Sequence, residues 1–227
     1  MGKFLALLAL LLGIGACSLS PEAVFRSANE GIVQVIGYAD GNWKIVDTYG
    51  TGFVVDSETG VVATNYHVVD GSASFIVVYS DGTRARARVV HTENRSSDLA
   101  FLLPEIKHGE YCIALDETPP PIGSDVYVLG YPMDAEVTFA RGIISSGIKS
   151  FRVLGDPVYD GRPMIKVSVQ IIPGNSGGPI LDDEGRAIGI ATITIVAPAG
   201  YSGFGFAITA TDVANEFSEM SGRKPAC

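Results

Sequence analysis

The chain has 227 residues, a formal net charge of −9, 47% hydrophobic side chains and 18% charged ones. That apolar content can bury a core and excludes low-complexity disorder, while the acidic balance excludes a nucleic-acid binder that neutralises phosphates with clustered Lys and Arg. Glycine accounts for 27 residues, above the usual share of ~7%, without a collagen period, so these glycines are expected in tight turns and close backbone approaches. Three cysteines and three histidines are too few for a disulfide-stapled or metal-rich domain, and no metal or cofactor is expected.

The N-terminus reads as an address. Lys3 precedes a continuous apolar run, Phe4 to Leu12, followed by Gly13, Ile14, Gly15, Ala16 and Cys17. The run is too short to cross a bilayer core, which needs ~20 residues, and a core helix here would lack any polar face. Residues 1–16 are therefore expected to be an export signal. Gly15 and Ala16 directly before Cys17 resemble the lipobox of bacterial lipoproteins, although Ile14 and Gly15 stand where Leu and then Ala or Ser are commoner. The resemblance implies acylation of Cys17 and a membrane-anchored protein of the cell envelope. Ordinary secretory cleavage near Ala16 is the alternative. Export permits Cys112 and Cys227 to pair, but their separation in sequence does not decide it.

Residues 17–29 form an N-terminal segment in which Pro21 to Asn29 is expected as a short helix, with Ser20 as its N-cap. From there the chain reads as all-β. Ile32–Tyr38, Trp43–Tyr49, Gly52–Asp56, Val61–Asn65, Ser74–Tyr79 and Arg84–His91 are rich in β-branched and aromatic residues. Turn chemistry at Asp40-Gly41-Asn42, Glu58-Thr59-Gly60 and Asp81-Gly82 separates several of them. Arg84, Arg86 and Arg88 alternate with alanines and should share one solvated strand face. Pro119-Pro120-Pro121 cannot supply ladder N–H groups, so residues 116–123 are expected as a stiff connector. It divides a first half, 30–115, from a second, 124–227, which has strands at Asp125–Leu129, Thr138–Ile148, Met164–Ile171, Pro179–Leu181, Ala187–Thr194 and Gly203–Ile208; short strands at this spacing suit barrels or sandwiches. A helix over Thr211–Ser221 closes the chain.

Three runs carry chemistry. In Gly174-Asn175-Ser176-Gly177-Gly178-Pro179 a serine sits where glycines admit a substrate carbonyl close to main-chain N–H groups. That suits a nucleophile beside an oxyanion hole, although glycine-serine turns are also common in β proteins. Thr64-Asn65-Tyr66-His67-Val68-Val69 places a histidine straight after a strand, preceded by Gly50-Thr51-Gly52. Ser96-Ser97-Asp98-Leu99-Ala100 carries an aspartate into an apolar strand.

In the order His, Asp, Ser, these runs resemble the trypsin-like serine proteases, and most of all their bacterial Deg/HtrA-type branch. The resemblance extends from about Val33 to Ile208 and covers the protease domain without a PDZ module, since the chain ends soon after Ser176. It implies two six-stranded barrels with the active site between them. Ser176 would be the nucleophile, His67 the general base and Asp98 its orienting acid, with an oxyanion hole at Gly174, Asn175 and Ser176. Digestive-type members bind a new N-terminal ammonium through an aspartate before the serine. Asn175 cannot make that ion pair, so activation by such a cleavage is not expected.

The resemblance also places a substrate pocket at Gln170, Ala191, Thr192, Ile193, Gly203 and Gly205. An uncharged Gln170 disfavours Arg or Lys before the cleaved bond and leaves a small or medium apolar side chain as the expectation. Val167-Ser168-Val169-Gln170 departs from the branch's usual Thr-Asp-Ala-Ala. The function implied is an exported serine endopeptidase acting on proteins or peptides, in envelope protein quality control or processing. The alternative is a catalytically silent homologue that binds protein segments in the cleft.

Overall fold

The computed structural model describes residues 19–92, 96–132, 136–150, 158–159, 161–197 and 200–227. The expected export signal and Cys17 lie outside them. Helix α1 (Pro21–Asn29) begins as the sequence dictates, with Ser20 Oγ accepting the Ala23 N–H at 3.2 Å and Pro21 in the first turn. Val24 and Ala28, four residues apart, form its buried stripe.

Two closed six-stranded antiparallel barrels follow. The first contains β1 (Ile32–Tyr38), β2 (Val46–Val54), β3 (Val62–Thr64), β4 (Ser74–Tyr79), β5 (Arg84–His91) and β6 (Ala100–Pro104), in spatial order β1-β2-β3-β6-β5-β4. A single-turn helix α2 (Tyr66–Val69) follows β3. The second contains β7 (Asp125–Gly130), β8 (Thr138–Ser150), β9 (Pro163–Val167), β10 (Pro179–Leu181), β11 (Ala187–Ala197) and β12 (Gly200–Thr209), in order β10-β11-β12-β9-β8-β7. Helix α3 (Ala210–Ser221) ends at Gly222, whose φ of 75° is the left-handed conformation that glycine adopts without penalty.

The strands expected at Trp43–Tyr49 and Gly52–Asp56 are one strand, β2. It starts only at Val46 because the Asp40 carboxylate accepts the N–H groups of Lys44 and Ile45 and prolongs the turn. Gly50 and Gly52 do not break it. They are where β2 passes close to Val68, the Ser176 carbonyl and Val62, with no room for a Cβ.

Burial explains why many strands lack polar alternation. In β6, Ala100 and Leu102 face the first barrel's interior, whereas Phe101 faces a third core between the barrels. In β7, Val126 and Val128 face the second interior, whereas Tyr127 and Leu129 face that same shared core. Each strand there has two buried faces, as its continuous apolar sequence requires. The shared core also takes Val24 and Ala28 of α1 and Phe217 of α3, so neither half buries all of its apolar surface without the other.

Residues on either side of the barrels cross over. Phe25 of α1 packs edge-on against Phe139 of β8 at 5.6 Å, on the second barrel. Residues after α3 return to the first. Arg223 grips the fully buried Asp56 carboxylate with two hydrogen bonds of 2.8 Å, and the Ala226 N–H adds a third at 3.0 Å. Burial would raise this carboxyl, but the hydrogen bonds from Arg223, Thr59 and Ala226 outweigh it and hold it at about 2. Cys112 and Cys227 form a disulfide, with Cα atoms 5.7 Å apart, which the sequence had left open.

Candidate active site

The two barrels meet along a cleft of about 500 Å³ lined by Asp47, Tyr49, His67, Ile171, Ser176 and Ile193, among others. His67 lies on α2, directly after β3. Its Nδ1 is 3.0 Å from both carboxylate oxygens of Asp98, and its main-chain N–H donates to Asp98 Oδ1 at 3.0 Å. The Asp98 side chain is 2% exposed and that of His67 is 43% exposed. The ring's other nitrogen, Nε2, has no partner among the described residues and is open to the cleft.

Asp98 enters β6 through a backbone with φ of 48°, the left-handed region that only Asp and Asn visit readily among residues with a Cβ. The surroundings hold it there. Its carbonyl accepts the Tyr66 N–H and the Asn65 side-chain amide, at 3.1 and 3.0 Å. Asn65 is fully buried and also donates to Thr192 Oγ1 at 3.2 Å, which ties the aspartate loop to β11 of the other barrel.

Ser176 comes from the loop before β10. Its Oγ donates to the Thr192 carbonyl at 3.3 Å, a long hydrogen bond and a weak one. Thr192 is the extra residue of a β-bulge. Ala191 pairs with Ala207 and Ile193 with Phe206, so Thr192 has no opposite number, and its carbonyl is turned toward the serine.

The N–H groups of the serine loop divide into two sets. Those of Asn175, Gly177 and Gly178 donate to the carbonyls of Ile172, Ala191 and Asn175. Those of Gly174 and Ser176 have no partner among the described residues. Gly174 has a φ of 96° and Gly177 of 87°, which account for glycine at both places. The Asn175 side chain is buried and points back toward Gly130, away from the cleft.

One residue that no sequence motif singled out organises this loop. Thr51, fully buried in β2, donates from Oγ1 to the Gly174 carbonyl at 2.7 Å, and its N–H donates to the Ser176 carbonyl at 2.9 Å. Thr51 Oγ1 also accepts the Tyr131 N–H, and its own carbonyl accepts the Thr64 hydroxyl. Its only signal in the sequence was the flanking Gly50 and Gly52.

The expected pocket residues separate. Thr192 and Ile193 line the cleft, and Ala191 is buried behind them. Gln170 faces solvent and does not line it. Ser168, Val169, Gln170 and Ile171 alternate exposed and buried, so it is Ile171 that points inward. Ile171 packs against Gly205, and no Cβ at 205 would fit beside it. Gly205 is therefore a backing surface for Ile171, while Gly203 is exposed.

A family model described as a trypsin-like peptidase domain matches residues 50–190. The chain is 33% identical over 160 residues to a probable periplasmic serine endoprotease, DegP-like, of Chlamydia muridarum, with 70% of this chain and 31% of that protein covered. Against the DegP-like protein of Halomonas elongata it is 33% identical over 181 residues, covering 78% of this chain and 37% of that one. The chain thus spans about a third of the length of these curated relatives.

Among solved structures it is similar to the serine endoprotease from Yersinia pestis, with a TM-score of 0.73 and 25% identity over 90% of this chain and 68% of that one. It is also similar to the HtrA-type protease AlgW with a tripeptide, with a TM-score of 0.75 and 27% identity over 91% and 65% of the two chains. A family model that takes in both the histidine and the serine runs, and a two-barrel fold shared with HtrA-type structures, lead to one conclusion: the chain belongs to the trypsin-like peptidase family.

Proposed function

We propose that the protein is a serine endopeptidase that cleaves peptide bonds through an acyl-enzyme. The observation that carries this reading is the convergence in one cleft of the His67–Asp98 pair, the Ser176 hydroxyl and the N–H groups of Gly174 and Ser176, which have no partner among the described residues. In the first half-reaction a turn of the Ser176 side chain exchanges the weak bond to Thr192 for one to His67 Nε2. Oγ then attacks the substrate carbonyl, and its proton passes to Nε2. The carbonyl oxygen, now negative, is received by the N–H groups of Gly174 and Ser176. The C–N bond breaks as Nε2 returns the proton to the leaving amine. Water repeats the sequence on the ester and regenerates the serine. Asp98 holds the ring with Nδ1–H toward itself and stabilises the imidazolium. Each oxyanion donor is worth ~2.7–4 kcal/mol of barrier, so the loop fixed by Thr51 matters as much as the triad.

Ile171, backed by Gly205, gives the cleft an apolar wall, which supports a small or medium apolar side chain before the cleaved bond. We place the protein in the cell envelope, anchored by a lipid on Cys17, from the resemblance of residues 13–17 to a lipobox. The relatives named periplasmic agree with export. Mass analysis of the mature N-terminus tests the anchor: an acylated Cys17 is expected, and an unmodified terminus overturns it.

The decisive experiment is labelling with a fluorophosphonate, comparing the wild type with Ser176→Ala. Covalent labelling of the wild type and none of the variant is expected. Absence of Ser176-dependent labelling in folded protein overturns the reading and leaves the silent, segment-binding homologue.

A further inference from the structure

The Asp98 carboxylate has a donor that the three-residue pattern does not include. Tyr159 donates its hydroxyl to Asp98 Oδ2 at 2.6 Å, and the tyrosine is 4% exposed. Asp98 and His67 belong to the first barrel, whereas Tyr159 lies between β8 and β9 of the second. Three residues on, Arg162 donates to the carbonyls of Ser96 and Ser97, the two residues leading into Asp98. Its guanidinium is held in turn by Asp212 of α3 at 3.6 Å. One connection of the second barrel therefore grips both the backbone and the side chain of the aspartate turn on the first.

We propose that Tyr159 is a positioning residue that sets the Asp98 carboxylate against the His67 ring. The inference rests on the catalytic reading of His67, Asp98 and Ser176 given above. The ring does not fix the carboxylate by itself, because Nδ1 is equally distant, 3.0 Å, from its two oxygens. The last torsion of an aspartate is broad and roughly two-fold, so separate contacts must choose its plane. The His67 N–H holds Oδ1, and the Tyr159 hydroxyl holds Oδ2. With both in place the plane is determined. Without Tyr159 the group pivots about Oδ1, and a buried anion loses a short, charge-assisted hydrogen bond. The left-handed backbone at Asp98, a conformation that costs about 1 kcal/mol or more, adds to the need for outside support.

Tyr159 also tempers the carboxylate. A hydroxyl donating to Oδ2 draws charge away from the oxygens that face the imidazole. Among the described residues, the titratable groups bonded to the Asp98 carboxylate are His67 on α2 and Tyr159 on the β8–β9 connection, with the Arg162–Asp212 pair on the turn that leads into it. Removal of the hydroxyl leaves a carboxylate that attracts the protonated ring more strongly. The pH–rate profile should then rise at higher pH.

The test measures the second-order rate of Ser176 labelling by a fluorophosphonate against pH, in the full chain. For Tyr159→Phe the expected result is a fall of about tenfold at neutral pH, with KM for a peptide substrate unchanged. The acid limb should move up by about half a pH unit. In an Asp98→Asn background the same change should alter the rate by less than about twofold, because its target is gone. Site-specific 3-fluorotyrosine at 159, a stronger donor of the same shape, should move the limb downward and covers the case in which Tyr159→Phe fails to fold. A wild-type rate and limb in both 159 variants overturns the inference, as does an equal fall in both backgrounds, which would mark a purely structural role. Failure of the wild type to label overturns the catalytic reading itself, so the two failures are distinguishable.

Discussion

The two barrels have the same strand order and almost nothing else in common. In the first, β1 is buried along its whole length, and the register shifts lie at Gly37/Tyr38 and Val89/His91, on β1 and β5. In the second, β8 runs for 13 residues with little of it buried and slips register twice against β9. Strand β11 slips twice against β12, once at Thr192 beside the serine, and once more against β10. Closure of a sheet needs only regular pairing, and the first barrel comes close to that minimum. The second departs from it more often, and at Thr192 the departure turns a carbonyl toward Ser176. The first barrel acts as a fixed frame carrying His67 and Asp98, and the second as the adjustable half.

The comparison can be broken most forcefully at the shared core. Phe101 is fully buried between the halves, and Phe101→Ala should destabilise the protein by about 3–5 kcal/mol in chemical denaturation, with both halves unfolding in one transition. Two separate transitions would mean that the barrels are independent.

A smaller effect is expected in acid. The Asp56 carboxyl is held at about 2 in the folded protein against an ordinary 3.8, so its contribution is fully present above pH ~4 and disappears as pH falls through ~2. Denaturant midpoints measured across this window should show a loss of roughly 2 kcal/mol that Arg223→Gln reduces, which identifies the clasp that ties residues after α3 to the frame.

The finest test separates frame from loop. Thr51→Val keeps the shape but removes the hydroxyl that holds Gly174, so stability should fall by about 1–2 kcal/mol while Ser176 labelling slows about tenfold or more. Unchanged labelling would show that the first barrel does not set the loop.

His67, Asp98 and Ser176 were legible because each sits in a local run whose order and neighbours are informative without any contact information. The prolines at 119–121 marked a division into two β halves, while the closure of each half into a barrel was implied only by the family resemblance. The resemblance placed Gln170 in the pocket by its position in the chain, but position carries no facing, and the alternation of 168–171 turns Ile171 inward instead. Tyr159 left no trace in the sequence, since its partner is 61 residues away and nothing around it is patterned. Thr51 looks like any strand threonine until the serine loop is folded over it. The Cys112–Cys227 bridge likewise depends on the path of residues 222–227 back across the molecule.

That return path has a consequence for the order of assembly. Asp56 belongs to the first quarter of the chain, but Arg223, which neutralises it, follows 167 residues later. Until Arg223 arrives, the Asp56 carboxylate in the first barrel has the local Thr59 N–H and hydroxyl as donors but not the guanidinium that balances its charge. Contacts of such long range are formed late and slowly. The clasp on Asp56 thus closes only after the serine loop, which precedes Arg223 in the chain, is present.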